Sequence, residues 1–315
     1  MDETSIMGLT GLLHCQLIEG QKGVEEQLDS LEEFNKATGM SKDLLYLCAL
    51  SGQKRGKSSD EILQYLDKIV DLQNQTMKHL ALGIEYYIKL EPELILNVTK
   101  LYLQYSPNEP LNLGQPLPLP LKQAKDILQP LVNACPVQKE PLYLMAKVKY
   151  LSGDIQAAIS LLQKCLDINP SFSDGHLLMA QISIHYGNYQ TASKSLEVAL
   201  SHDFQIREQI QYILTKASVL KTEKKYDEAI KLLNSALVNS KKRGSNLATN
   251  NKISLILQMV DIYTLNDQTT EGSKLLTELL EDCRETADEG RIMIANAQLA
   301  EARGDIDAAL TLLRD

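Results

Sequence analysis

The chain has no tryptophan at all, and five of its 10 prolines fall in one stretch, Ser106–Pro120. With 44% hydrophobic and 5% aromatic residues, the composition fits helices. Basic residues are outnumbered by acidic ones, 32 to 41, for a net charge of -9 and a pI near 5.2. Phosphate backbones need a basic face, so nucleic acid is excluded as the main partner. The acidic excess supplies solubility. No run of 18 uninterrupted apolar residues occurs, which excludes a transmembrane helix and direct membrane insertion. The acidic start, Met1-Asp2-Glu3-Thr4, leads straight into a patterned helix and is unlike a signal or transit peptide.

Chemistry-bearing patterns are missing as well. The five cysteines (Cys15, Cys48, Cys135, Cys165, Cys283) are odd in number, scattered, and contain no C-x-x-C pair. They read as reduced thiols packed as small apolar residues in a cytosolic compartment. No two of the five histidines stand four apart, and none sits beside a cysteine at finger spacing, so no metal site is expected. No G-x-S-x-G elbow is present. Gly52-Gln53-Lys54-Arg55-Gly56-Lys57-Ser58 resembles a phosphate-binding loop. Only three residues separate its glycines, however, and the preceding Asp43–Leu50 reads as helix where the motif needs a strand. It reads as a turn between helices. No catalytic residue and no cofactor is expected, and the chain is not read as an enzyme.

What is present is a period. A small residue, a Leu four later and a small or apolar residue three after that recur at Ala124/Leu128/Leu131, Ala158/Leu162/Cys165, Ala192/Leu196/Ala199, Ala229/Leu233/Ala236 and Gly272/Leu276/Leu279. Ala309/Leu313 begins a sixth set. The intervals are 34, 34, 37, 43 and 37 residues. A 34-residue repeat of helix pairs, with a small residue where the two helices cross, predicts an all-α solenoid. The clearest unit runs from Lys139 to Ser173: a helix with Leu142, Met145, Ala146 and Tyr150, a Ser152-Gly153-Asp154 turn, a helix with Ala158, Leu162 and Cys165, and Asn169-Pro170 as its end.

Three segments follow from this reading. Residues 1–105 hold divergent helical repeats: Ile6–Glu19 with Val24–Lys36, Asp43–Leu50 with Ser59–Leu72, then His79–Leu90 and Glu93–Tyr105 divided at Pro92. Residues 106–120 are a Pro-rich insertion inside the array, in which Pro116–Pro120 is a stiff connector, with a polyproline ligand as the alternative. Residues 121–315 are the regular array, its last repeat truncated. Ser240–Asn246 reads as an inserted loop or helix extension, and its Lys241-Lys242-Arg243 as solvated charge.

For a chain of this type the candidate partner-binding surface is the face formed by the first helices. Tyr143, Lys147 and Tyr150 in one repeat, Gln181, Ile184 and His185 in the next, and Lys221 beyond them stand at helical spacing there. Long amphipathic side chains in such rows can hold a peptide or helix, or pack between repeats.

The repeated small and proline positions resemble the tetratricopeptide-repeat family over Leu121–Asp315, and more loosely over 1–105. That family implies a right-handed superhelix of antiparallel helix pairs that serves as a protein-binding surface. The large position that is aromatic in the family is here Leu142, His176, Ile213 or Ile256. Its co-chaperone branch clamps acidic peptides with Lys and Asn four apart on a first helix; Tyr143 and Lys147 stand there instead, so chaperone docking is not expected. Two stretches, Gln115–Val137 and Lys164–Ser183, are further similar to the large tetratricopeptide-repeat subunits of intraflagellar transport complex A. That likeness implies an internal piece of a longer repeat protein acting as a non-catalytic scaffold in the cilium and cytoplasm. Its implied partners are the other complex A subunits, dynein-driven trains in return transport, and cargo adaptors. A generic adaptor holding a short peptide in its concave groove is the alternative.

Overall fold

The computed structural model describes residues 3–35, 39–112, 114–242, 249–283 and 289–314, and side chains in 8–35, 39–112, 114–239, 251–283 and 289–314. Two compact units result, Met1–Pro170 and Ser171–Asp315. The first contains α1 (Glu3–Glu19), α2 (Val24–Asn35), α3 (Lys42–Lys54), α4 (Ser59–Met77), α5 (Ile84–Leu90), α6 (Pro92–Gln104), α7 (Leu119–Ala134), α8 (Lys139–Leu151) and α9 (Ile155–Ile168). The second contains α10 (Ser173–His185), α11 (Tyr189–His202), a short 3-10 helix (Phe204–Glu208), α12 (Ile210–Thr222), α13 (Tyr226–Lys242), α14 (Thr249–Leu265), α15 (Thr269–Asp282), α16 (Glu289–Ala302) and α17 (Ile306–Arg314). Among the described residues there is no strand. Each unit is a stack of helix hairpins, the α-solenoid arrangement that the period predicts.

The hairpins are α1/α2, α3/α4, α6/α7 and α8/α9 in one unit, and α10/α11, α12/α13, α14/α15 and α16/α17 in the other. Six of their turns share one backbone device. A residue at Gly56, Gly153, Gly187, Lys224, Asp267 or Gly304 takes φ between 57° and 81°, which ends the first helix. The next amide then donates to a carbonyl five residues back: Lys57 to Gly52 at 2.9 Å, Asp154 to Lys149 at 2.9 Å, Asn188 to Ser183 at 2.8 Å, Lys225 to Leu220 at 3.0 Å. The residue after the left-handed position often caps the second helix. Asp154 accepts from the Ala157 amide, Asn188 from Thr191 and Asp305 from Ala308.

The small residues lie where the arms cross. Ala146 and Ala158, Ala180 and Ala192, and Ala217 and Ala229 are all fully buried. Leu162, Leu196 and Leu233, four residues beyond the crossing, fill the space beside it and are equally inaccessible. Gly272 holds the same position on α15, with Leu299 of α16 and the Tyr263 Cβ about 3.5–3.7 Å from where a Cβ would stand. One hairpin cannot cover its own apolar stripe, so each unit closes by stacking. In the second unit α10 packs on α12, α12 on α14 and α14 on α16. Ile213, Leu220, Leu233, Leu255 and Met259 form one of the resulting cores.

The Pro-rich segment connects the two arms of a single hairpin, since α6 packs on α7 across it. It is tied down at its middle: the Leu111 amide donates to the Leu151 carbonyl at 3.0 Å, at the end of α8. Leu119 and Pro120 open α7, where the first amides have no helical acceptor and a missing N–H costs nothing. One expectation needs correction, and another lies mostly outside the described residues. Residues 79–83 are not helical; α4 instead continues to Met77, and Gly83 delays α5 to Ile84. The apolar pattern there finds no neighbour to fold against, and Leu82, Ile84 and Ile88 are 77%, 82% and 68% exposed. Ser240–Asn246 lies mostly outside the described residues, with α13 running to Lys242.

Candidate protein-docking surface

The candidate row falls in both units. On α8, Tyr143 and Lys147 are half-buried, and Tyr150 is only 9% exposed. Burial, and then Glu109 from the Pro-rich segment, push the Tyr150 hydroxyl up to about 12. Tyr150 therefore packs in the α8 core, with its ring unavailable as an anchor. In the second unit, Gln181 and Ile184 are half-buried on α10, with Ile184 against the Leu177–Leu196 core. His185 is exposed, its ring edge-on to Tyr186 at 6.1 Å. Lys221 on α12 reaches Asp261 on α14 at 2.7 Å.

That ion pair belongs to a set that joins consecutive first helices. Gln258 on α14 donates to the Leu214 carbonyl at 2.9 Å and to Ser218 Oγ at 2.7 Å on α12. Gln209 donates to Asp174 at 3.1 Å, and Lys100 on α6 meets Glu140 on α8 at 2.5 Å. Much of the polar row thus holds repeat to repeat. Sequence spacing identifies the row but cannot distinguish a side chain that faces a neighbouring repeat from one that faces solvent.

The glycine-flanked segment 52–58 is a hairpin turn. Gly52 is buried inside α3, where a Cβ would meet the Lys57 side chain at 3.3 Å, and Gly56 at φ 72° is the left-handed cap found in the other hairpins. Its basic side chains are engaged: Lys54 donates to the Leu17 carbonyl, Arg55 holds Asp29 at 2.8 Å, and Lys57 lies 5.8 Å from the Tyr65 ring centre. Ser58 caps α4 by accepting from the Glu61 amide at 3.3 Å. No cradle of free amides faces an anion here.

Cys48 and Cys165 are buried, and desolvation pushes their thiols up to about 12 and about 11. Cys15 is exposed. His176 and His202 stack with ring centres 6.1 Å apart. Among the described residues no group of three or more His, Cys, Asp or Glu could hold a metal ion. Among the described residues no helix is long and apolar enough to cross a membrane.

One feature escapes the sequence. A cleft of about 820 Å³ opens in the first unit between α6 and the start of α8, lined by Asp43, Glu91, Glu93, Leu94, Leu96 and Pro141 among others. A second hollow of about 230 Å³ shares Asp43, Glu93 and Leu94 and continues to His14 and Tyr46. The members of the two hollows together come from four helices that the sequence separates by up to about 130 residues, so no local pattern announces them.

Comparison with known proteins fixes the lineage. The second ARM domain of tetratricopeptide repeat protein 21 matches residues 1–187, and the ARM repeat of the same protein matches 204–315. The chain belongs to the tetratricopeptide repeat protein 21 family. Within that family, human tetratricopeptide repeat protein 21B is 37% identical over 327 aligned residues, and mouse tetratricopeptide repeat protein 21A is 35% identical over 323. Both alignments take in 100% of this chain and 25% of the relative, so the chain spans about a quarter of the length of these family members. A tetratricopeptide repeat protein from Parabacteroides merdae shares the fold, with a TM-score of 0.56 at 13% identity over 88% of this chain and 92% of that one. The family members are repeat proteins, and a repeat scaffold is what this chain builds.

Proposed function

We propose that the chain is one segment of a non-catalytic scaffold in intraflagellar transport complex A, which supports dynein-driven return transport and entry of membrane cargo into the cilium. The observation that carries this reading is the match of both halves to successive repeat regions of tetratricopeptide repeat protein 21. A stacked-hairpin chain offers long helical faces for other polypeptides. The glycine-flanked segment 52–58, a helix-hairpin turn whose Arg55 is held by Asp29, supports this reading over a nucleotide-binding enzyme. Its partners are the other complex A subunits, with dynein-driven trains and cargo adaptors beyond them, and its location is the ciliary base and axoneme together with the cytoplasm. The peptide-adaptor alternative is less favoured, because Tyr150 is buried and Lys221 is held by Asp261.

Affinity purification of the full-length protein from ciliated cells tests this. Recovery of complex A subunits, and tagged protein at the ciliary base and along the axoneme, is expected. Recovery of chaperones alone, with diffuse cytoplasmic signal, overturns it.

A further inference from the structure

We infer that the groove across α1, α3, α6 and α8 of the first unit is a docking site for a protein segment in which a lysine or arginine stands next to an apolar residue. The observation is a built groove with mismatched walls. Leu94 and Leu96, half-buried, give it an apolar floor beside Pro92 and Pro141, and Tyr46 extends that floor toward α1. Four carboxylates, Asp43, Glu91, Glu93 and Glu140, line the larger cleft.

Two of the four are already neutralised. Glu91 is held by Lys42 at 2.8 Å, and Glu140 by Lys100 at 2.5 Å. Lys42 is fixed in turn by Gln73, which accepts from it at 2.6 Å and donates to the Lys89 and Leu90 carbonyls. That lock sets where α6 starts, and with it the place of Glu93, which lines both hollows together with Asp43. The rim also carries Lys139, which is exposed and has interactions of its own. Asp43 and Glu93 make no hydrogen bond or ion pair with another described residue, and both belong to both hollows. Loss of solvent, with Glu91 adding to it, raises the Asp43 carboxyl above its ordinary value even though Lys42 and His14 act against it. Asp43 and Glu93 are both exposed, and a cation held there would favour the charged Asp43 carboxylate in the same sense as Lys42. An ammonium or guanidinium reaches them while its stem, and an apolar neighbour, lie on Leu94 and Leu96.

A carboxylate-lined site selects against acidic segments by like-charge repulsion. The site differs in place and in chemistry from the candidate row on α8, α10 and α12. It also stands apart from the ciliary reading, since the groove would select a basic segment whichever assembly supplied it.

The test uses the whole 315-residue chain and two fluorescent photo-reactive probes: a peptide of alternating lysine and leucine, and its twin with glutamate for lysine. In fluorescence anisotropy the lysine probe should bind at least ten-fold more tightly than its twin, and bind less tightly as salt is raised. The double variant Asp43→Asn/Glu93→Gln should lose at least ten-fold. A remote double variant at two exposed positions of α13, Asp227→Asn/Glu228→Gln, should match the unaltered chain. Photo-crosslinks on the unaltered chain should map to 43–47 and 93–97, and this measurement decides if the groove variant folds poorly. Equal binding of the twin, equal loss in both double variants, crosslinks that map elsewhere, or self-association that covers the groove would each overturn the proposal. Failure of the complex A purification would leave these outcomes untouched.

Discussion

Gly153 and Gly187 hold the same place in successive hairpins with nearly the same backbone, φ 80° and 71°, yet their surroundings differ. Around Gly187 there is open space; a Cβ on Gly153 would stand 2.6 Å from the Leu111 carbonyl oxygen. Gly187→Ala should therefore cost only the left-handed penalty, about 1 kcal/mol after the gain from a stiffer unfolded chain. Gly153→Ala should cost about 2–4 kcal/mol, because it also drives the Pro-rich segment off α8. Chemical denaturation of the two variants compares them directly, and equal losses would contradict the docking of Leu111. The converse holds at Asp267, an exposed non-glycine residue at φ 57°. Asp267→Gly should stabilise by about 0.5–1 kcal/mol in the same assay. Such turns were legible from glycine alone where glycine was present, as at Gly153. At Lys224, where the repeat period and not a glycine marks the turn, and at Asp267 the backbone adopts the same shape.

Helices in this chain are defined by what crosses them. Ala158 sits fully buried against α8, so Ala158→Leu should overpack the crossing and cost about 1–3 kcal/mol. A loss below about 0.5 kcal/mol in thermal or urea unfolding would show that the arms separate freely at that point. The small-residue register was readable from sequence because it repeats every 34 to 43 residues. The partnership of α6 with α7 was not, since about fourteen residues of irregular chain divide them and only the packing reveals the hairpin. The same limit applies to α5. Its pattern suggested a longer helix, and nothing local signals that Ile84 and Ile88 stand exposed. The acidic groove likewise depends on how four separate helices are placed, which is set in part by contacts such as Lys42 with Glu91 and Gln73.

Burial raises groups in both units, Tyr212 and Tyr263 in the second among them, and it acts strongly on five in the first. Cys48 and Tyr150 are pushed up to about 12 and Cys165 to about 11, from ordinary values of 9.0 for thiols and 10.0 for tyrosine, and burial raises Tyr65 and Tyr102 too. All five lie in Met1–Pro170. A raised value means that the folded chain binds these protons more tightly than the unfolded chain does. The stability they contribute is complete below about pH 9 and falls as pH rises toward 11 and 12. Circular dichroism with limited proteolysis across that range should show the first unit opening before the second. A transition midpoint unchanged from pH 8 to pH 11 would contradict it.

The central claim is that stacked hairpins here serve as surfaces for other polypeptides. Crosslinking mass spectrometry on the assembly purified from ciliated cells tests it most directly. The account predicts crosslinks from lysines of both units to at least two different complex A polypeptides. Crosslinks to a single short linear peptide and nothing else, or none to any polypeptide, would contradict it.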